Sequence, residues 1–268
     1  MLEKDVILLK LGGSVITDKS SQNSFPQTDI IDQLGNEIHQ VRSESDIRVI
    51  LGHGAGSFGH PQAARYKTIE GVITKNSLIG ASEVRLAVTK LNALVTERFF
   101  QVGEPAVSLS PAAFLVRERG SANIFPDPVV NFLKIGMLPI IHGDVISDTE
   151  QGFTIFSGEQ VLNLLAERLP GFGLNPKLVI EVGETDGVYL SLDAKDTIQL
   201  IDRNNFDAIE GRLGRSAGID VTGGMAHKVK EAFELAKKGI PTLLISAKPG
   251  NLKKALSGKK VVGTWIKY

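Results

Sequence analysis

Three glycine turns in this sequence each follow or precede a structured run and each lies beside a cation. Gly12-Gly13-Ser14 closes the apolar run 6–11, with Lys10 on one side and Lys19 on the other. The loop 52–59, Gly-His-Gly-Ala-Gly-Ser-Phe-Gly, closes a second run and is followed by His60. Thr222-Gly223-Gly224 opens a helical stretch that carries Lys228 about one turn in. Glycines at such turns let backbone N–H groups approach an anion without a side chain in the way. A helix N-terminus adds its positive dipole end to the same anion. Taken singly, each glycine pair reads as an ordinary turn, Lys19 as a surface lysine and His60 as a capping or packing residue. Their coincidence, three nests each with a cation, points to two phosphorylated ligands facing one another. Phosphoryl transfer needs little more than alignment and charge neutralisation, which these residue types supply.

Two other phosphate sites fit less well. Gly54, Gly56 and Gly59 satisfy G-x-G-x-x-G, the dinucleotide spacing. That motif must open the helix of a compact strand–helix–strand unit, with an acidic residue ending the next strand about 20 residues on. Here His60-Pro61 follows the loop, the next strand candidate starts only at Pro105, and no acid ends a strand at the required distance. A dinucleotide fold also has no use for Lys10 at a strand end. The mononucleotide loop G-x-x-x-x-G-K-[S/T] does not occur.

The elements that must position these loops alternate in type. β-branched runs at 6–11, 47–51, 105–109, 137–142, 178–182, 242–246 and 261–266 read as strands. Between them, 30–41 (with Thr28 or Asp29 as cap), 76–101, 161–169 and 224–238 read as helices. Such alternation implies an α/β protein with a largely parallel sheet, in which strand carboxyl ends gather at one edge. The segment 145–156 alternates apolar and polar around Asp148-Thr149-Glu150-Gln151-Gly152 and predicts a β-hairpin near the sheet edge. Pro170-Gly171-Phe172-Gly173-Leu174-Asn175-Pro176 reads as a linker.

Composition bounds the partners. The 268 residues are 42% hydrophobic, enough for one large domain or two lobes. Lys plus Arg number 30 and Asp plus Glu also 30, so the basic excess of a nucleic-acid binder is missing. No cysteine occurs, which excludes disulfides, thiolate metal sites and a cysteine nucleophile. No apolar stretch approaches the roughly 18 to 20 residues of a membrane span. The opening residues lack the basic flank and length of a signal peptide. A cytoplasmic protein with no membrane or nucleic-acid partner is expected.

The motifs resemble those of the amino acid kinase superfamily and, within it, the isopentenyl phosphate kinase family. Lys10-Leu11-Gly12-Gly13-Ser14 with Asp18-Lys19 is similar to that family's opening motif, and the stretch 52–61 to its second loop. His142-Gly143-Asp144-Val145, Ser157-Gly158 and the segment 220–228 match in order and spacing. The resemblance spans nearly the whole chain, and His60 is its most discriminating residue. It implies a three-layer αβα sandwich in two lobes, with residues 1–170 binding isopentenyl phosphate and supplying the dimer surface, and 171–268 binding ATP. By the same resemblance Lys10, Lys19, His60, Asp144 and Lys228 act in catalysis. Lys19 stabilises the transition state, and Asp144 orients a lysine or the metal's water shell. Lys10, Gly12, Gly13, Ser14, Gly56, Thr185, Asp186, Gly187, Gly223, Gly224 and Lys228 hold the nucleotide. Gly54, Ala55, Gly56, His60 and Gly158 hold the acceptor phosphate. Magnesium rides on the nucleotide phosphates with no protein ligand, and a homodimer is implied.

Two departures stand out. Ala55 replaces the middle glycine of a usual triplet, which is tolerable at negative φ. Gly183-Glu184-Thr185-Asp186-Gly187-Val188 keeps only the second half of the family's Thr-Asp-Val-Asp-Gly-Val nucleotide loop. The acceptor's apolar tail calls for a greasy slot, with Leu78, Ile79, Val84, Leu86, Ile146 and Phe156 as candidates. Two rival readings remain at this point: a kinase of the same fold acting on fosfomycin, and a nucleotide-binding regulatory or storage protein that no longer catalyses.

Overall fold

The computed structural model describes residues 4–18, 25–189, 196–215 and 224–268. Lys19 and the segment 216–223, with the expected Gly223, lie outside the described residues. The chain opens with β1 (Lys4–Leu11), a single helical turn α1 (Gly13–Ile16), and a short antiparallel ribbon of β2 (Thr17–Asp18) and β3 (Phe25–Pro26). Helix α2 (Thr28–Glu44) leads to β4 (Arg48–His53). Its N-cap is Gln27 with no side-chain cap, so neither Thr28 nor Asp29 plays the expected part.

A helix the sequence did not announce follows at once: α3 (Gly56–Tyr66). It contains three residues that argue against it, Gly56, Gly59 and Pro61. Pro61 lacks the N–H that would bond back to Ser57, so tertiary packing rather than propensity sustains the helix. Then come α4 (Lys75–Gln101), β5 (Ala106–Ser108), the hairpin β6 (Leu115–Glu118) and β7 (Ser121–Ile124), and α5 (Asp127–Lys134). Next are β8 (Leu138–His142), the hairpin β9 (Asp144–Asp148) and β10 (Gly152–Phe156), α6 (Gly158–Arg168) and β11 (Leu174–Gly183). The chain ends with β12 (Leu200–Ile201), α7 (Phe206–Arg215), α8 (Gly224–Lys237), β13 (Thr242–Ser246), α9 (Asn251–Leu256) and β14 (Thr264–Ile266).

The central sheet has the strand order β12-β14-β13-β11-β1-β4-β8-β5. From β13 to β5 every pairing is parallel, and only β14 joins β13 antiparallel. The predicted hairpin exists, but not at this sheet's edge. It joins β6–β7 in a separate four-stranded sheet ordered β10-β9-β6-β7. The β6–β7 turn places Arg119 and Gly120 at φ 49° and 74°, the signs a two-residue hairpin turn needs. The expected linker is also corrected: residues 169–172 form a 3₁₀ turn and β11 already starts at Leu174. Because β1 pairs β11 along its whole length, one sheet runs through both the segments 1–170 and 171–268.

Helices cover both sheet faces, which makes the expected three layers. Strand alternation decides what each residue meets. Ile7, Leu9 and Leu11 of β1 pack with α2, α4 and α9 on one side. Val6 and Leu8 pack with α5, α6 and α8 on the other. Each such side chain, when fully buried, contributes about 1.5–3 kcal/mol of hydrophobic stabilisation. The next residue on the second face is Lys10, and that parity brings it to α6 and α8.

Candidate active site

β1 sits where the chain turns to opposite sides of the sheet, with β4 on one flank and β11 on the other. In open α/β sheets ligands bind at the strand carboxyl ends beside such a point. Two of the three predicted loops, those after β1 and β4, gather there. Gly12 N–H donates to Val182 O at 2.8 Å, and Gly54 N–H to Leu11 O at 3.0 Å. A Cβ on Gly13 would stand 2.4 Å from Gly56 N, and one on Gly158 would stand 2.6 Å from His53 O. These glycines therefore let three loops touch backbone to backbone, and the N–H groups of Gly12 and Gly54 are used in that contact instead of being open to an anion as expected. Gly56 has φ 52°, and Thr17 locks the contact by donating to Gly13 O and accepting from Ser57 N–H at 2.7 and 3.0 Å. Ala55 keeps φ at −74°, so its methyl group is accommodated. Ser14 is half-buried in α1.

Lys10 is buried and ion-paired with two carboxylates that sequence reasoning missed. Its ammonium bonds Glu159 and lies 3.7 Å from Glu181. Glu159 reaches it from the first turn of α6, whose start is fixed by a reciprocal cap between Ser157 and Gln160. Glu181 reaches it from β11, where it stands directly opposite Lys10 in the strand register. Burial pushes the Lys10 ammonium below its ordinary range, Glu181 opposes that, and the charge of Lys228 reinforces it. Lys228 is half-buried on α8 behind the first helical residue, Gly224. A narrow cavity joins Lys10, Gly12 and Glu181 to Thr185, Gly187 and Lys228. Asp186, between the two loop residues that line the cavity, turns instead to Lys248 and Ser246. Its carboxyl is held below the usual range by the Lys248 hydrogen bond and then by Ser246.

The other expected residues occupy a second area. His60 is exposed on α3, in a helix rather than the expected turn. Asp144 is buried and meets no lysine among the described residues. It accepts from Ser110 Oγ at 2.6 Å and from Val145 N–H at 2.8 Å, with Arg85 Nε at 3.3 Å. Burial raises its carboxyl above the ordinary range, against the lowering by Ser110 and Arg85. The lysine-holding task expected of Asp144 is met by Glu159 and Glu181. Behind the loop, the buried rings of His53 and His142 stack with centroids 5.8 Å apart. His53 is held by Asn92 and Gly54 O. His142 has no hydrogen-bond partner on either ring nitrogen among the described residues, and burial, then His53 and Arg85, push it down to about 3.

The apolar candidates divide. Val84 joins Val88, Val145 and Phe153 in a small cluster against Ala55, Ala63 and Ile155. Ile146 and Phe156 belong to the core on the sheet's other side, so the hairpin alternation runs one residue out of step with expectation. Leu78, Ile79 and Leu86 are exposed.

The sequence pattern of the amino acid kinase family matches residues 5–246. The chain belongs to the amino acid kinase family. An isopentenyl phosphate kinase of Methanothermobacter thermautotrophicus is 35% identical to it, over 97% of this chain and 98% of that protein. An isopentenyl phosphate kinase of Methanocaldococcus jannaschii is 33% identical, again over 97% and 98%. A solved isopentenyl phosphate kinase structure superposes with a TM-score of 0.80 at 32% identity, covering 97% of this chain and 100% of that one. Within the amino acid kinase family the chain is therefore an isopentenyl phosphate kinase relative along its whole length. The shared fold accounts for why Lys10, the loops after β1 and β4, and the start of α6 meet at one sheet edge.

Proposed function

We propose that the chain transfers the γ-phosphoryl group of ATP to isopentenyl phosphate, giving isopentenyl diphosphate and ADP, as a step of isoprenoid biosynthesis. The observation that carries this reading is the meeting of Lys10, Lys228 and the glycine loops at one sheet edge, in a chain 35% identical to an isopentenyl phosphate kinase. An oxygen of the acceptor phosphate attacks the γ-phosphorus, and the bond to the β-phosphate bridging oxygen breaks. That oxygen is already ionised, so no general base is required. Two anions must approach in a partly dehydrated site, and their repulsion is large there. Lys10, Lys19 and Lys228 offset it, with Lys19 acting on the moving group. Glu159 holds Lys10 in place.

Gly12, Gly13, Ser14, Thr185 and Gly187, with Gly223 and Gly224, cradle the nucleotide. Gly54, Ala55, Gly56, Gly158 and His60 receive the acceptor phosphate. The cluster around Val84 and Val145, contiguous with Ala55, is where the prenyl tail lodges. Magnesium suits this donor set as an ion carried by phosphates and water, because Glu159 and Glu181 are both turned to Lys10; it supplies further charge neutralisation. Apolar side chains exposed along α4, including Leu86 and Phe100, support a homodimer. No helix among the described residues is long and apolar enough to cross a membrane, and a cytoplasmic location belongs to the same reading.

The names of the relatives favour this acceptor over fosfomycin, and the lysines around one cavity favour catalysis over storage. ³¹P NMR of the protein with magnesium, ATP and isopentenyl phosphate tests it. Replacement of the monophosphate signal by a diphosphate pair, in step with ADP, is expected. ATP binding without that conversion would overturn the proposal.

A further inference from the structure

Glu181 interrupts the apolar run 178–182 of β11. On β11, Val179 packs into the core under α6 and α8 while Ile180 and Val182 pack into the opposite one. Alternation therefore sends Glu181 to the α6/α8 face, where an apolar residue would be the default for a central strand. The register sets it directly across from Lys10. Both side chains are about a tenth exposed, and both line the cavity that contains Gly12, Gly183, Thr185 and Lys228. A carboxylate buried in a central strand beside an anion-binding cavity is costly twice over, through desolvation and through repulsion of the ligand. Its position against one particular ammonium supplies a reason for it.

Three of the elements packed around that ammonium contribute a charge. Glu159 comes from α6, Glu181 from β11, and Lys228 and Glu231 from α8, with His227 3.5 Å from Glu231. Glu159 makes the closer contact, but it stands beside Gly158 in the expected acceptor cradle. Glu181 stands on the nucleotide side. We infer that Glu181 is a positioning residue for the transfer reaction: it keeps the Lys10 ammonium charged and turned into the cavity, so that the lysine meets the nucleotide phosphates as a cation. The inference rests on the proposed function for what Lys10 does, but the coupling of Glu181 to Lys10 is a property of the protein alone. Burial and the neighbouring Lys228 both favour the uncharged amine, and Glu181 acts against them from β11 while Glu159 does so from α6.

The test is Glu181→Gln, which preserves shape and removes the charge, with Glu181→Asp as the conservative partner. The ¹³Cε resonance of Lys10, assigned by its loss in Lys10→Arg, is titrated in the ligand-free protein. Its midpoint should fall by about one pH unit in Glu181→Gln and less in Glu181→Asp. The alkaline limb of kcat/KM for ATP should move down with it. An unmoved midpoint would overturn the inference. So would a lower KM for ATP with the alkaline limb unchanged, since the carboxylate would then only repel phosphate. A shifted midpoint in a protein that phosphorylates no acceptor would leave the Glu181–Lys10 coupling standing and overturn the proposed function instead.

Discussion

Replacing Glu159 by glutamine removes the closer of the two carboxylates on Lys10 while keeping side-chain volume. The side chains of Lys10 and Glu159 are 10% and 9% exposed, so neither can turn to water. Breaking a buried pair by neutralising one partner costs about 3–5 kcal/mol when the other charge is left alone. Here Lys10 is not left alone. Glu181 remains 3.7 Å away, and opposite charges at that separation attract by ~4 kcal/mol at an effective dielectric of about 20. The net loss should therefore fall below the usual range, on the order of 2 kcal/mol. At about 2–4 °C per kcal/mol for a domain of this size, Tm of the ligand-free variant should drop by roughly 4–8 °C. In the proposed reaction magnesium-ATP brings phosphate oxygens to the same ammonium, so the deficit should shrink when the nucleotide is saturating. Calorimetric scans with and without magnesium-ATP, paired with kcat, measure both effects. The variant should also lose at least about ten-fold in kcat, because Lys10 is no longer aimed. A deficit of equal size with and without nucleotide would make Glu159 a packing residue with no part in aiming Lys10.

Three further outcomes follow from the proposed roles and the described geometry. Lys19→Ala should lower kcat substantially while changing ATP affinity little, because its role begins only as charge moves; weakened ATP binding with normal kcat would make it a plain phosphate anchor. His60→Ala should raise KM for isopentenyl phosphate by about ten- to a hundred-fold, the worth of one hydrogen bond to a charged group, and leave KM for ATP nearly unchanged. His60→Gln should fall between the two, and equal damage to both substrates would assign His60 to folding. His142 is held down to about 3 from an ordinary 6.5, so the unfolded chain binds its proton first as pH falls. Stability should then be lost from about pH 6.5 downward, by on the order of 2 kcal/mol at pH 5, and His142→Gln should flatten that part of the Tm-against-pH curve. Asp144, shifted the opposite way, makes the difference between the two proteins the quantity to read.

Much of this site was legible because its chemistry rides on local signals. Lys10, the glycine turns and the helix start near Lys228 each announce themselves within a few residues. What could not be read locally is what faces what. Glu181 is one polar residue in an apolar run, and only the β1–β11 register gives it a partner. Glu159 follows the Ser157-Gly158 pair directly, yet its target lies 149 positions away. Helix α3 was hidden by Gly56, Gly59 and Pro61, whose penalties are offset by packing against α4 and the β1 loop. The hairpin β6–β7 was missed because its turn uses Arg119 where asparagine or aspartate is the usual signal. The tail candidates Ile146 and Phe156 turn to the core on the sheet's other side, since a β-hairpin's inward face cannot be fixed without knowing which sheet it joins.

The identity of the acceptor decides the function, and an ATP-consumption assay over a panel of acceptors reads it out. The panel comprises isopentenyl, dimethylallyl and geranyl phosphates, fosfomycin, acetylglutamate and UMP. The kcat/KM for isopentenyl and dimethylallyl phosphates should lead by a wide margin. A lead for fosfomycin, or ATP binding with turnover of nothing on the panel, would contradict it.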